Sequence, residues 1–302
     1  MRPTMDPDEI KRHEREVYDA VAEVFDKTLA PYSARFARDL IDLLFPQKGE
    51  AALDIAGGTG AAGLKVAERI GKDGNVTITD ISPGMLEQAR KNATARALAN
   101  VDTRVMDAER LDFPDASFDI ITCSMGIMFV PEVRLAIEEA HRVLKPGGRI
   151  GYTVWSVPER VPFFACPMTA VIKRMAPAPI RLLLRAPGIG SAVLRRLLVS
   201  NLASGFSPAR FSATGSLERH LTRAGFQSVR RELRAYPLEF RSFEEFWDTI
   251  TQGTPARAMA TRLPAKIIEE VKEEVRAHMT NPTTGALYFH NEAALVLARK
   301  PA

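Results

Sequence analysis

The chain has 302 residues, of which 46 % are hydrophobic and 26 % charged, enough apolar material for a real core in one large domain or a domain with an insertion. It has no run of 18 apolar residues and opens on a charged, polar stretch, which argues against a spanning helix and a secretory leader and sets a cytoplasmic location as the expectation. Two cysteines, Cys123 and Cys166, suggest neither a disulfide framework nor a metal site, and the formal charge of +4 is local, because residues 156–215 hold eight Lys/Arg against one Glu while the rest is net acidic.

Val17, Val21, Val24 and Phe25 recur at helical spacing and predict a helix over 8–28. Pro31 interrupts it, and a second helix is expected over about 33–45, ended by Pro46 and Gly49. Strand–helix alternation follows. Strands are expected at 51–56, 75–80, 101–106, 118–124 and 149–155. Helices are expected at about 61–70, 83–99 and 132–144, the last stopped by Pro146-Gly147-Gly148. This order predicts an α/β fold with a parallel sheet and helices on both faces. At 156–215 prolines crowd among apolar and Arg-rich stretches, which reads as an insertion of short helices. Helices near 216–224, 242–250 and 263–279 and strands over 226–240 and 286–299 complete the chain.

Gly58-Thr59-Gly60-Ala61-Ala62-Gly63 follows a strand and opens a helix, the arrangement that lets a backbone approach a nucleotide. Taken alone it is a weak pattern that also fits a tight turn in an unrelated α/β protein. Asp54 separates two candidate ligands. A diphosphate would meet a carboxylate there with no Lys or Arg before Lys65, whereas a cationic sulfur compound would be favoured. Asp80 ends the second strand, where a carboxylate can accept from both ribose hydroxyls. Ile81 and Met85 are placed to flank a base, although Met85 equally suits a helix core. Asp107 and Ala108 follow the third strand, where the acid can accept from an adenine amino group.

These segments resemble class I S-adenosylmethionine (SAM)-dependent methyltransferases. The residues that carry the likeness are Leu53–Gly60, Asp80–Leu86, Asp107–Leu111, Phe113–Asp119 and Arg142–Arg149, in the family's order over about residues 50–155. Ala56 stands where many members have the first loop glycine, and the Ala-Gly-Gly-Thr-Gly variant looks like the ubiquinone/menaquinone biosynthesis C-methyltransferases. The resemblance implies a Rossmann-like sheet of seven strands, mostly parallel, with 286–299 as its antiparallel member. It implies SAM as cofactor and a site of Asp54, Ala56, Gly57, Gly58, Gly60, Asp80, Ile81, Met85, Asp107, Ala108 and Ser124. The chain then divides into an N-terminal helical cap (1–48), a SAM-binding core (49–155), a helical lid (156–215) and a C-terminal completion of the sheet (216–302).

The expected activity is methylation of a small apolar or aromatic molecule, at carbon or oxygen, by in-line displacement. Phe129, Trp155, Phe163 and Phe164 are expected around the acceptor, with Tyr18 and Tyr32 closing over the cofactor. No general base declares itself. His141 reads as structural, His220 as exposed, His13 as solvated though able to face the site, and His278 and His290 lack partners. No His or carboxylate cluster suggests a metal. The Arg- and Leu-rich segment 179–202 is either a lid helix with a basic outer face or a peripheral contact with an anionic membrane. An RNA methyltransferase, a NAD-dependent oxidoreductase and a non-catalytic SAM binder are the rival readings; the basic segment lacks the interleaved aromatics of a nucleic-acid surface.

Overall fold

The computed structural model describes residues 6–185, 210–254, 256–281 and 284–302. Two long helices come first, α1 (Pro7–Thr28) and α2 (Ala30–Leu44). Asp6 caps α1 by accepting from the Asp8 amide, and Pro7 fills the first helical position, where no N–H is needed. Pro31 stands at the second position of α2, still within the turn whose amides have no helical partner, so the break between the helices is only Leu29.

The alternating segment forms β1 (Ala51–Ile55), α3 (Gly63–Ile70), β2 (Asn75–Asp80), α4 (Pro83–Ala95), β3 (Val101–Val105), β4 (Phe118–Ser124), α5 (Val133–Val143) and β5 (Leu144–Trp155). After β5 come α6 (Pro162–Met175) and α7 (Ala178–Arg185), then α8 (Ser216–Arg223), β6 (Gln227–Phe240), α9 (Phe243–Gly253), α10 (Ala256–Ala260), α11 (Ala265–Met279) and β7 (Leu287–Arg299). One sheet has the order β3-β2-β1-β4-β5-β7-β6. Its strands run parallel except β7, which is antiparallel to both β5 and β6. The structure thus has the seven-stranded Rossmann-like sheet expected from the resemblance, with 286–299 as the reversed strand.

Each face of the sheet buries a separate apolar layer. Leu40, Ile41 and Leu44 of α2, Leu64 and Ile70 of α3 and Leu86 of α4 pack with Ile78 and Ile120 on one side. Ile137 and Val143 of α5 and Leu217 and Leu221 of α8 pack with Leu53, Ile121 and Val154 on the other. A strand buried on both faces needs a continuous apolar run, which is why 51–55 and 118–124 read so clearly.

α5 ends just before Pro146-Gly147-Gly148, within a residue of the expected end. The helix ends at Val143, where Leu144 turns extended, and the Pro-Gly-Gly run lies in a bulged start of β5, with the register jumping between Phe118 and Ile120. Lys300 caps the helix end, donating from Nζ to the carbonyls of His141 and Leu144 at 2.7 and 2.8 Å.

β7 pairs with β5 only from Ala293 onward, while Leu287–Glu292 continue to pair with β6. This two-stranded extension overhangs the carboxyl edge of the parallel strands by six residues, roughly 20 Å. A third apolar layer sits on it, with Phe163 and Val171 of α6, Phe246 and Trp247 of α9 and Val271 and Val275 of α11 around Phe240 and Leu287. The 216–302 segment therefore does more than complete the sheet, since it also supplies the helices that support α6. Of the basic segment 179–202, only the part within α7 lies among the described residues, with Leu182 and Leu183 exposed there. No described helix is long and apolar enough to cross a membrane.

Candidate active site

The carboxyl ends of β1, β2, β3 and β4 open into a cavity of about 600 Å³, roofed by α1 and closed at its far end by α6, α9 and α11. Asp54, fully buried, anchors the glycine turn. Its Oδ2 accepts from the Gly63 amide at 2.7 Å, at the start of α3, and its Oδ1 from the Thr122 hydroxyl at 2.6 Å. A side chain at Gly57 would come within 2.6 Å of Asp54 Oδ2, so that position admits only glycine. Burial raises the Asp54 pKa to about 7 against the pull of those two hydrogen bonds. Ala56 sits in the left-handed region at φ 50°, and a side chain at Gly126 would meet its Cβ at 2.6 Å, so the turns after β1 and β4 lock together.

Asp80 lies beside the turn. Its Oδ2 accepts from the Gly58 amide and its Oδ1 from the Ser82 amide, both at 2.9 Å. Each oxygen keeps a lone pair for a further donor. Burial raises its pKa despite those amides. Asp107 accepts from the Glu109 amide at 2.9 Å and pairs through Oδ2 with Lys11 of α1 at 2.7 Å. Lys11 also pairs with Glu109. Burial opposes its charge, but the two carboxylates hold its pKa above the ordinary value.

Asp54, Ala56, Gly57, Gly58, Asp80, Ile81, Met85, Asp107, Ala108 and Ser124 all line the cavity. Gly60 does not: at φ 94° it shapes the turn, with Leu64 packed where its side chain would be. Of the aromatics, Tyr18, Phe129, Trp155, Phe163 and Phe164 line the cavity. Tyr18 packs edge-on against Phe129 with centroids 5.5 Å apart. Tyr32 is a correction. It faces a separate surface cleft with Arg35, Arg241 and Glu245, where its hydroxyl donates to the Glu239 carbonyl at 3.2 Å. Its position one turn into α2 carries it past the end of α1 and away from the turn.

Sequence reasoning missed two groups. Lys11 and Glu14 of α1 line the nucleoside side; their helical spacing with Tyr18 was the available signal. Trp247, Ile250, Leu263, Ile268 and Val271 line the far end; nothing local distinguishes them from ordinary helix core. His13 also lines the cavity, contrary to the solvated position expected, because α1 rests on α4 with that face inward. His141 packs edge-on against Phe226, and His220 is half-buried against Phe211 instead of exposed. Among the described residues no group of three His, Cys, Asp or Glu is placed to hold a metal ion.

The residues present suit a nucleoside with a cationic tail. A side chain at Gly58 would meet nothing within 4 Å, so the turn is open to the crevice, and no Lys or Arg stands on it against the two acids. Fold, turn and acids together are those of the class I SAM-dependent methyltransferases. A model of the ubiE/COQ5 methyltransferase family matches residues 8–185, and the chain belongs to that family, with S-adenosyl-L-methionine as its cofactor. It is 38 % identical over 143 residues to aklanonic acid methyltransferase DauC of Streptomyces sp. (strain C5), covering 47 % of this chain and 65 % of that protein. To the ubiquinone/menaquinone biosynthesis C-methyltransferase UbiE of Brucella anthropi it is 41 % identical over 150 residues, covering 45 % and 57 %. The chain thus spans less than two thirds of these curated relatives. The crystal structure of the YcgJ protein of Bacillus subtilis shares the fold, with a TM-score of 0.57 at 20 % identity over 89 % of this chain and 99 % of that one. The family match removes the dinucleotide oxidoreductase reading.

Proposed function

We propose that the protein transfers a methyl group from SAM to a small apolar or aromatic acceptor, at carbon or oxygen. The observation that carries this is the two-part character of the cavity. One end is walled by Asp54, Gly57, Gly58, Asp80 and Met85; the other is walled by Trp155, Phe164, Met168, Trp247, Leu263 and Ile268. A polar end suits the nucleoside and an aromatic–aliphatic end suits an acceptor with little charge. The cofactor supplies an electrophilic methyl group on a charged sulfur. The chain's part is to hold the acceptor in line with it and to exclude water. A ring carbon or phenolate needs little further help, whereas an alcohol would draw on a base, and His13 is the one histidine among the described lining residues. One relative is named a C-methyltransferase and another, from Saccharothrix syringae, nocamycin O-methyltransferase, so both acceptor atoms stay within the proposal. An RNA acceptor fits less well, since Lys11 is already ion-paired and the far wall is apolar.

The test is incubation with methyl-labelled SAM and a cell extract divided into small-molecule and RNA fractions. Label in apolar small molecules is the expected result. Label confined to RNA overturns the acceptor class, and binding of SAM with no label anywhere overturns catalysis in favour of a SAM-binding protein.

A further inference from the structure

Glu14 stands out among the carboxylates of the crevice. Asp54 and Asp80 have both oxygens engaged by protein donors, and Asp107 is held by Lys11 and the Glu109 amide. Glu14 is only 6 % exposed, lines the same cavity, and its Oε2 has no hydrogen-bond partner. A buried carboxyl oxygen without a partner is costly, and it stays in a structure where a ligand completes it.

Its neighbours say which part of the ligand that is. One turn earlier on α1, Lys11 reaches Asp107 at the end of β3, the edge of the crevice where a base lies when Asp80 takes the ribose. One turn later, Tyr18 packs on Phe129. Glu14 therefore faces the base and not the acceptor end, which α6 and α9 enclose. We propose that Glu14 reads the base of the cofactor from the N-terminal helix, its carboxyl accepting a hydrogen bond from the adenine amino group. This rests on the SAM-binding reading above. It makes α1 part of the cofactor site, with Lys11 holding the helix against β3 so that the carboxyl meets the base. Burial raises the Glu14 pKa to about 7, so the group sits ready to ionise when a donor arrives.

The experiment is calorimetric titration of two ligands into three proteins. The ligands are S-adenosylhomocysteine and its purine-riboside analogue, which lacks the 6-amino group. The proteins are the wild type, Glu14→Gln and Glu14→Leu. Glutamine keeps an acceptor and should bind S-adenosylhomocysteine within about threefold of wild type. Leucine should lose about tenfold for S-adenosylhomocysteine and nothing for the analogue. Glu14→Leu removes an uncompensated buried polar group, so its ligand-free melting temperature should not fall below that of the wild type. Unchanged S-adenosylhomocysteine affinity in Glu14→Leu, or an equal loss for both ligands, overturns the proposal. Should Glu14→Leu not fold, a tenfold preference of Glu14→Gln for the amino ligand matching that of the wild type supports it, and loss of that preference counts against it. Wild-type protein that binds neither ligand overturns the cofactor reading itself.

Discussion

Glu14 and Asp54 are both buried carboxyls whose pKa is raised to about 7, yet their surroundings differ. Asp54 is held by a hydroxyl and an amide and serves the turn; Glu14 has an oxygen with no partner and faces the cavity. The difference has a pH consequence. A carboxyl whose folded pKa lies above its ordinary value keeps its proton longer in the native state, so the native state is favoured below the ordinary value and loses that advantage as pH rises. For Glu14 the window runs from about 4.5 to about 7. The charged or titratable groups around it are Lys11, His13 and Tyr18 on its own helix and Asp80 and Asp107 across the crevice. Glu14→Gln removes this titration and leaves that of Asp54 in place. The urea midpoint of the variant relative to wild type should therefore improve steadily across pH 4.5 to 7 and level off above it. A difference that stays flat over that range would show that Glu14 does not titrate there.

At the scale of elements, α1 is tied to the core at three points along its length. Lys11 meets Asp107 at one end, Asp19 accepts from Ser82 Oγ and the Gly84 amide at 2.5 and 2.8 Å in the middle, and Asp26 accepts from Asn92 at 2.8 Å near the other end. Asp19 stands at the first turn of α4, so it satisfies an amide that the helix cannot and suits the positive end of its dipole. Asp19→Ala should cost about 1 kcal/mol in chemical denaturation. Because α4 also carries Met85 into the cavity, the same change should weaken SAM binding while sparing the sheet, as read by near-ultraviolet and far-ultraviolet circular dichroism. The strand–helix alternation over 51–155 was readable because β1 and β4 are apolar runs and turn residues bound the strands, although the edge strand β3 is mostly exposed. The end of α5 was legible to within a residue, but its cap was not, since the donor is a lysine at residue 300.

At the scale of the whole molecule, the overhanging β6–β7 pair is what turns a nucleotide crevice into a two-part cavity. It holds α9 and α11 above the carboxyl edge, and α6 packs on them. Phe163 belongs to this support as much as to the cavity wall: it is stacked on Phe240 and edge-on to Phe246, and its amide donates to Asn291 Oδ1 at 3.2 Å. Phe163→Ala should therefore destabilise by about 3–5 kcal/mol and is a poor probe of the acceptor. Phe164 is only partly buried, beside Trp155 with centroids 6.1 Å apart. Phe164→Ala should raise KM for the acceptor severalfold while leaving SAM affinity within about twofold, measured by initial rates and calorimetry. A fall in SAM affinity matching the rise in KM would place this residue at the cofactor end instead.

What the amino-acid order determined by itself was the nucleoside half: a glycine turn after an apolar strand and acids at three successive strand ends, whereas the reversed last strand followed only from the family resemblance. The turn and the acids are local, because each depends on backbone freedom or on charge within a few residues of a strand terminus. At the apolar end Phe129, Trp155, Phe163 and Phe164 were expected from the sequence, but the lining from α9 and α11 was decided only by tertiary structure. Trp247, Ile268 and Val271 carry the same apolar periodicity as any buried helix face, and Glu14 reads as one more charge on an amphipathic helix. Whether such a residue meets core, solvent or cavity depends on where the β6–β7 overhang and α1 come to rest, and that is fixed by contacts between residues more than 100 positions apart, such as Phe163 with Asn291 and Arg35 with Pro237.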